Sequence, residues 1–476
     1  MTTSPVDTLR GLITAIGIGQ AAGAGAAADA DSTLERVTLT GTEPVLPSSF
    51  AVGTAAQTSI AAAALAADAI RQARGHRAQR ISVDMRRAAL ECAGYFTVDG
   101  QVPVLMDPIS GLYPCGDGWV RIHANFAHHR DGALVLLGLP ADGSASRQDV
   151  ERRLRDWAAE DFEQAAAQAG LVVAAQRSFA RWDLHPQATA VADTPLVTIE
   201  RIGDAPPRGW RAADAKSRPL AGLRVLECTR ILAGPVAGRT LAAYGAEVML
   251  VNSPTLPNVA SIIETSRGKC SAHIDLKTAD GQAQMATLLA GADLFVQGYR
   301  PGSLADLGLG AQALAERHPG IVCASLSAYG HTGPWADRRG FDSLVQTGTG
   351  FNHAEAVAAA APKPRAMPVQ ILDYASGFLI AAGAQAAIAR QRREGGSWHV
   401  RVSLARTAHW LRGLGRVENG FDAPRAEFRR ELKRYDTGWG EMRAVPHAAR
   451  FARTPARWVR PSMPPGTHPP TWPERA

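Results

Sequence analysis

The run LRVLECTRILAGPVAGRTLAAYGAEVMLVNSP fixes the fold class of the second half of this chain. It reads as strand, loop, helix, strand. The first strand covers Leu223–Glu227, Gly234 and Pro235 open the helix, and the second strand covers Glu247–Val251. The first strand is almost wholly apolar, as a strand must be when both faces of its sheet are covered. Two parallel strands joined through a helix form a βαβ unit. SAHIDL, DLFVQGY and IVCASLSAYG continue the alternation, with helices between them. The pattern predicts an α/β domain built on a doubly wound, Rossmann-like parallel sheet.

The first half follows a different plan. An Ala-rich helical pattern runs from Ile60 to Arg74, and GHRAQRISVDMRRAAL then reads as turn, short strand and helix. In GLYPCGDGWVRIHANF, Gly116, Asp117 and Gly118 separate two strand-like runs and predict a hairpin. Gln148 to Ala169 reads as two amphipathic helices, so a smaller α+β domain is expected here. AAGAGAAADADS, near the N-terminus, is low in complexity and reads as a loosely ordered helix or linker. Pro206, Pro207 and Pro219 break the charged stretch 203–219, which reads as an interdomain linker. The expected modules are residues 1–217 and 218–476.

The two halves share a faint repeat. A shift of 319 aligns Thr54–Ala89 with Asp373–Ala408, pairing Arg71 with Arg390, Gln72 with Gln391, Val83 with Val402 and Arg87 with Arg406. Thr54 stands in the first copy where Asp373 stands in the second.

The formal charge of +7 suits an anionic partner: a nucleic acid, a phosphate-bearing molecule or an acidic substrate. The densest basic run, Arg425 to Arg434, also carries Glu427 and Glu431. Mixed signs read as a solvated helix face rather than a nucleic-acid patch. The five cysteines are scattered without CxxC spacing, which argues against zinc and against a disulfide framework. Cys228 and Cys323 lie in apolar strand-like runs and read as small buried hydrophobes. No run of 18 apolar residues predicts a membrane span, and no signal-peptide pattern opens the chain. The expectation is a cytoplasmic protein that meets neither nucleic acid nor membrane.

Asp373 is the most informative single residue. It follows Ile371 and Leu372 and opens a long Ala/Gly/Ile helical pattern. A carboxylate in such surroundings is costly without a partner or a task. The local sequence leaves two readings open: a helix-capping aspartate, or a nucleophile toward an activated acyl group. The turn TRILAGPVAGRT is neither GxGxxG nor a P-loop, yet it sets Gly234 and backbone amides at a helix start. Arg267 and Lys269 flank Gly268, which reads either as a basic loop for phosphates or as a solvated one. Gln297, Tyr299 and Arg300 follow a strand, at the sheet edge where ligands bind in such folds. SAYGHTGPWADRRGFDSLVQTGTG contributes His331, read as an acid–base group or an exposed loop histidine, and Asp342, read as a second candidate carboxylate or a cap of its own helix.

Five segments in order resemble the family III CoA-transferases, the group that also holds formyl-CoA transferases and α-methylacyl-CoA racemases. They are PLAGLRVLECTRILAGPVAGRTLAAYGAEV, SRGKCSAHIDLKTADG, ADLFVQGYRPGSLADLGLG, ASLSAYGHTGPWADRRGFD and ILDYASGFLIAAGAQAAIARQRREGG. GLYPCGDGWVRIHANF resembles the family's small domain, here placed ahead of the nucleotide-fold portion. The resemblance implies that Asp373 is the nucleophile, carrying first an acyl group and then CoA. It implies one centre per chain, because Thr54 cannot do this. CoA or acyl-CoA is then a substrate beside a small carboxylic acid, with no permanently bound cofactor, and a homodimer is expected. Expected CoA contacts are Ile231, Leu232, Ala233 and Gly234, then Arg267, Lys269, Gln297, Tyr299, Arg300 and Tyr329. The racemase branch needs a histidine where this chain has Phe341, and phenylalanine carries no proton. The family's adenine-side arginine is replaced by Asn252 and Ser253. The alternative readings are a catalytically inactive CoA-binding member of the family, or an α-methylacyl-CoA racemase or isomerase.

Overall fold

The computed structural model describes residues 2–19, 26–211, 213–300, 302–424 and 426–474. Its centre is a seven-stranded sheet. The strands are β1 (Thr198–Gly203), β2 (Arg224–Cys228), β3 (Glu247–Asn252), β4 (Lys269–His273), β5 (Leu294–Gln297), β6 (Val322–Ser327) and β7 (Ser397–Ser403). Their spatial order is β4-β3-β2-β5-β6-β7-β1. All neighbours are parallel except the last, where β1 runs antiparallel to β7. The order reverses direction between β2 and β5, so the crevice past their carboxyl ends is the topological switch point of the sheet. The expected doubly wound architecture is present. β1 lies on the N-terminal side of the 217/218 division and joins the sheet built by the other side.

The helices that matter for the site are α1 (Val52–Ala73), α2 (Met85–Cys92), α3 (Ala233–Ala243), α4 (Asp342–Gly348), α5 (Ile371–Glu394) and α6 (Leu404–Gly413). The repeat is real in three dimensions. Adding 319 to the first residue of α1 gives 371, the start of α5, and adding it to Met85 gives Leu404, the start of α6. The short strand Ile81–Asp84 maps onto the last four residues of β7. The two long helices pack on each other, and Gln385 of α5 donates to the Ala63 carbonyl of α1 at 3.1 Å. Alanine dominates their shared face, so the backbones come close while dispersion contacts stay dense.

Helix α5 is the one described helix long and apolar enough to cross a membrane by length and composition, and its apolar window is wholly buried against other elements. The smaller α+β unit pairs Gly111–Pro114, Trp119–Ile122 and Val173–Ala175 in an antiparallel sheet, with Cys115 and Gly118 closing the expected hairpin. Arg147–Leu154 and Ala159–Gln168 are the two expected helices, packed on their own apolar core.

One sequence reading needs correction. The run 425–434 is not a helix: residues 426–432 are irregular and Lys433–Thr437 is a strand. That strand forms a hairpin with Gly440–Ala444, which pairs in turn with Phe96–Val98 of the first half. Residues 204–211 and 213–219 are irregular, as the prolines there require, and they are tied to α1: Arg71 donates to the Ala215 carbonyl at 3.1 Å. Of the low-complexity patch, residues 26–32 belong to the helix Ala26–Leu34, and residues 21–25 lie outside the described residues.

Candidate active site

The loops that leave β2, β5 and β6 meet at the switch point around a cavity of about 290 Å³. The β2 loop supplies Arg230, Ile231 and Leu232, and α3 begins at Ala233. The β5 loop supplies Tyr299 and Arg300, and the β6 end supplies Ser327 and Ala328. Phe126, His128 and His129 arrive from the small domain, and Arg338, Arg339 and Phe341 from the Gly-rich loop. Asp373, in the first turn of α5, faces the same space. Small-domain residues of the first half thus line the same cavity as the carboxylate of the second.

The geometry separates the two readings of Asp373. It is the third residue of α5, and Gln370 holds the cap position without a side-chain cap bond. The capping is done by Asp342, the first residue of α4, whose carboxylate accepts the Asp373 backbone N–H at 2.9 Å and the Gln346 side-chain amide. Asp342 therefore caps another helix rather than its own. The Asp373 carboxylate accepts no hydrogen bond from any described residue, although the residue is only 7% exposed. Burial, and then the nearby Asp342, push the Asp373 carboxyl well above the usual range. Asp342 is also pushed up by burial, against the bonds from Asp373, Gln346 and Leu372. A buried acid without a cation or a donor is unfavourable for folding, and such groups cluster where chemistry is done. The first copy repeats the cap but not the acid: Glu43 accepts the Thr54 backbone N–H at 2.7 Å.

The start of α3 is held tightly against this carboxylate. Its first amides have no intrahelical partner, which makes the turn suited to a developing oxyanion. Ile231 adopts φ +73, a conformation a β-branched residue rarely takes and one that costs about 1–3 kcal/mol. Gly377, one turn along α5 from Asp373, lets the two helices touch: a Cβ there would lie 2.5 Å from the Ala233 carbonyl oxygen and 2.9 Å from Val236. Gly377→Ala is therefore expected to cost about 1–3 kcal/mol in urea unfolding, since a backbone oxygen cannot swing aside.

Of the expected CoA contacts, the cavity gathers Ile231, Leu232, Ala233, Tyr299 and Arg300 together with Asp373. Gly234 lies one residue behind, where a Cβ would meet Thr229 at 2.5 Å. Gln297 shapes the wall, accepting the Tyr299 N–H at 3.1 Å. Tyr329 is buried behind the lining, its ring 5.0 Å from that of Trp335.

Arg267 and Lys269 are not a loop for phosphates. Lys269 is inside β4, 1% exposed, with Nζ 2.8 Å from Glu227 and 2.9 Å from the Pro235 carbonyl. It anchors the first turn of α3 from behind. Arg267 is also 1% exposed; it pairs with Glu264, donates to the Val445 carbonyl at 3.1 Å and stacks 3.8 Å over Trp458. Their acidic partners overturn the reading. His331, expected to be exposed, is half-buried with Nε2 3.2 Å from the Val402 carbonyl, and lies outside the cavity lining.

Sequence reasoning missed His128, His129, Arg230, Arg338 and Arg339. The doublets HH in AHHRDG and RR in ADRRGFD were the available signals. Phe341 stacks on His123, centroids 4.0 Å apart, and forms an apolar wall.

Residues 220–414 match the family model described as CoA-transferase family III. A succinate–glutarate CoA-transferase of Agrobacterium fabrum is 33% identical over 205 residues, covering 39% of this chain and 51% of its own length. An acyl-CoA transferase of Gibberella moniliformis is 29% identical over 313 residues, covering 62% of this chain and 55% of its own. The chain spans about half the length of the curated relatives it matches. Among solved structures, Rv3272 of Mycobacterium tuberculosis is 35% identical with a TM-score of 0.39, covering 42% of this chain and 56% of that one.

Proposed function

We propose that the protein transfers CoA from an acyl-CoA donor to a carboxylic acid, with Asp373 as the covalent carrier. The observation that carries this reading is the bare carboxylate: buried, unbonded, without a cation, and open only toward the cavity beside the α3 amides. The ionised Asp373 attacks the donor thioester carbonyl. The C–S bond breaks, leaving a mixed anhydride and CoA thiolate. The thiolate attacks the aspartyl carbonyl, expels the donor acid as its carboxylate and leaves an aspartyl-CoA thioester. The acceptor carboxylate attacks that thioester and releases the thiolate again. The thiolate then takes the acceptor acyl group and frees Asp373. Each step moves an acyl carbon between oxygen and sulfur, so no redox partner or nucleotide is consumed.

The α3 amides and the strained Ile231 turn serve as the oxyanion site in each of the four attacks. The 290 Å³ cavity suits a thioester with a short acyl group and the end of the pantetheine arm.

The test is a transfer assay. With acyl-CoA and a free acid of different chain length, and no ATP, the new acyl-CoA is expected to appear in proportion to loss of the old. A protein that binds CoA with micromolar affinity but exchanges no acyl group with any donor–acceptor pair would show this reading to be wrong.

A further inference from the structure

A second concavity lies at the far end of α3 from Asp373. Ala233, the first residue of that helix, lines the Asp373 cavity. Ala243, the last, accepts the Arg457 backbone N–H at 3.1 Å, and Arg457 lines a separate groove of about 660 Å³. The helix is 11 residues long, so roughly 15 Å separates its two ends. The groove gathers cations without partners. Lys433, Arg450 and Arg457 line it, all three exposed, and among the described residues none has a carboxylate or a hydrogen bond on its side chain. The pattern belongs to this face. Arg434, on the opposite face of the strand from Lys433, pairs with Asp436 and Glu441. The one acidic residue in the described lining, Glu431, is taken by Arg86 and Arg87. The backbones that carry the three cations are fixed: Lys433 pairs with Ala444 in the hairpin, Arg450 pairs with Ser82, and the Arg457 carbonyl accepts from Arg218 at 2.7 Å. Tyr435, on the Lys433 face of the strand, and Trp458 line the same groove with their rings 6.0 Å apart, edge to face. The Trp458 Nε1–H donates to the Arg239 carbonyl at 2.9 Å, which holds that ring in place.

We propose that this groove is a second binding site, for a nucleoside polyphosphate that the transfer reaction does not consume. A cleft lined by one sign of charge focuses its field and concentrates ions of the opposite sign. Three unpaired cations on fixed backbones call for a multiply charged anion, and the two guanidiniums match phosphate oxygens with paired N–H donors. The two aromatic rings give a base a surface to pack on. The volume of about 660 Å³ falls in the range of small-molecule sites. None of the groove residues lines the Asp373 cavity, so the inference stands apart from the transfer reading. The walls come from both halves of the chain: Arg87 belongs to α2, and Arg450 is held by Ser82. A bound nucleotide therefore fastens the C-terminal segment to the first half.

Titration calorimetry of the full chain with ADP, without magnesium, reads the binding. Inorganic pyrophosphate has the same two phosphates and no base, and adenosine has the base and no phosphate. Each is expected to bind about tenfold or more weakly than ADP. Lys433→Gln and, independently, Arg457→Gln each lower the ADP affinity about tenfold, since both side chains are exposed and the fold does not depend on them. Saturating CoA leaves the ADP affinity within about twofold, because sites this far apart act independently. Absence of ADP binding by the wild type overturns the proposal. So does pyrophosphate bound as tightly as ADP, which would make the groove a plain anion site. An ADP affinity unchanged in both variants, or ADP displaced by CoA, would assign the nucleotide to the CoA site and overturn it as well.

Discussion

Asp373→Asn abolishes CoA transfer and makes the protein more stable. The loss of turnover is about 10³-fold or more, as for removal of a covalent nucleophile, because an amide cannot form the anhydride. The gain in stability has a separate cause. The Asp373 carboxyl has its folded-state pKa raised, by burial and by Asp342. Between the ordinary aspartate value, about 4, and that raised value, the folded state holds a proton the unfolded chain has released. Stability therefore falls as pH rises through this window. The asparagine variant lacks that dependence. Its advantage is expected to be absent near pH 4 and to reach about 1–3 kcal/mol at pH 8, read by urea unfolding at both values. The same raised pKa sets the direction of the activity profile: the nucleophile is the ionised form, so turnover rises with pH through the Asp373 titration. A structural aspartate would behave in the opposite way, losing stability on substitution and leaving turnover intact.

Lys269→Met gives the second large effect, and it falls on folding rather than on CoA. Lys269 and Glu227 are both fully buried, and Glu227 also accepts from Thr229 at 2.6 Å. Burial pulls the ammonium down and pushes the carboxyl up, each against the pull of its partner. Removing the lysine leaves the acid without a cation and costs about 3–5 kcal/mol at pH 8. The cost shrinks as the pH falls and Glu227, already pushed up by burial, takes a proton. Adding Glu227→Gln recovers part of it. The double variant should keep the KM for acyl-CoA within about twofold, since the side chain touches no ligand in this account. A KM raised about tenfold or more, as for a lost phosphate contact, would return Lys269 to the binding site.

Much of this was legible in the chain, and the failures share one cause. The βαβ pattern from Leu223 to Val251 gave the sheet, and a doubly wound sheet places its crevice at the switch point. Asp373 stood out because a lone acid in an apolar helix is physically odd. The 319-residue repeat was faint in sequence because alanine matches alanine anywhere, yet its two helices pack on each other. What sequence could not supply was long-range pairing. Lys269 looks like part of a free basic loop until Glu227, 42 residues away, is brought beside it. The Asp342 cap on α5 spans 31 residues. His129 reads as one of a surface doublet until the small domain folds over α5, more than 240 residues later. Local pattern reports faces and periods; it does not report which charges will meet.

The most direct test is the covalent intermediate. The protein is incubated with an acyl-CoA donor, quenched with hydroxylamine and digested, and the peptides are weighed. An aspartyl-CoA thioester reacts with hydroxylamine to give the Asp373 hydroxamate and free CoA, so that peptide alone should carry the modification, and only when donor is present. A hydroxamate on Asp342 instead, or transfer that proceeds with Asp373 unmodified, would contradict the account.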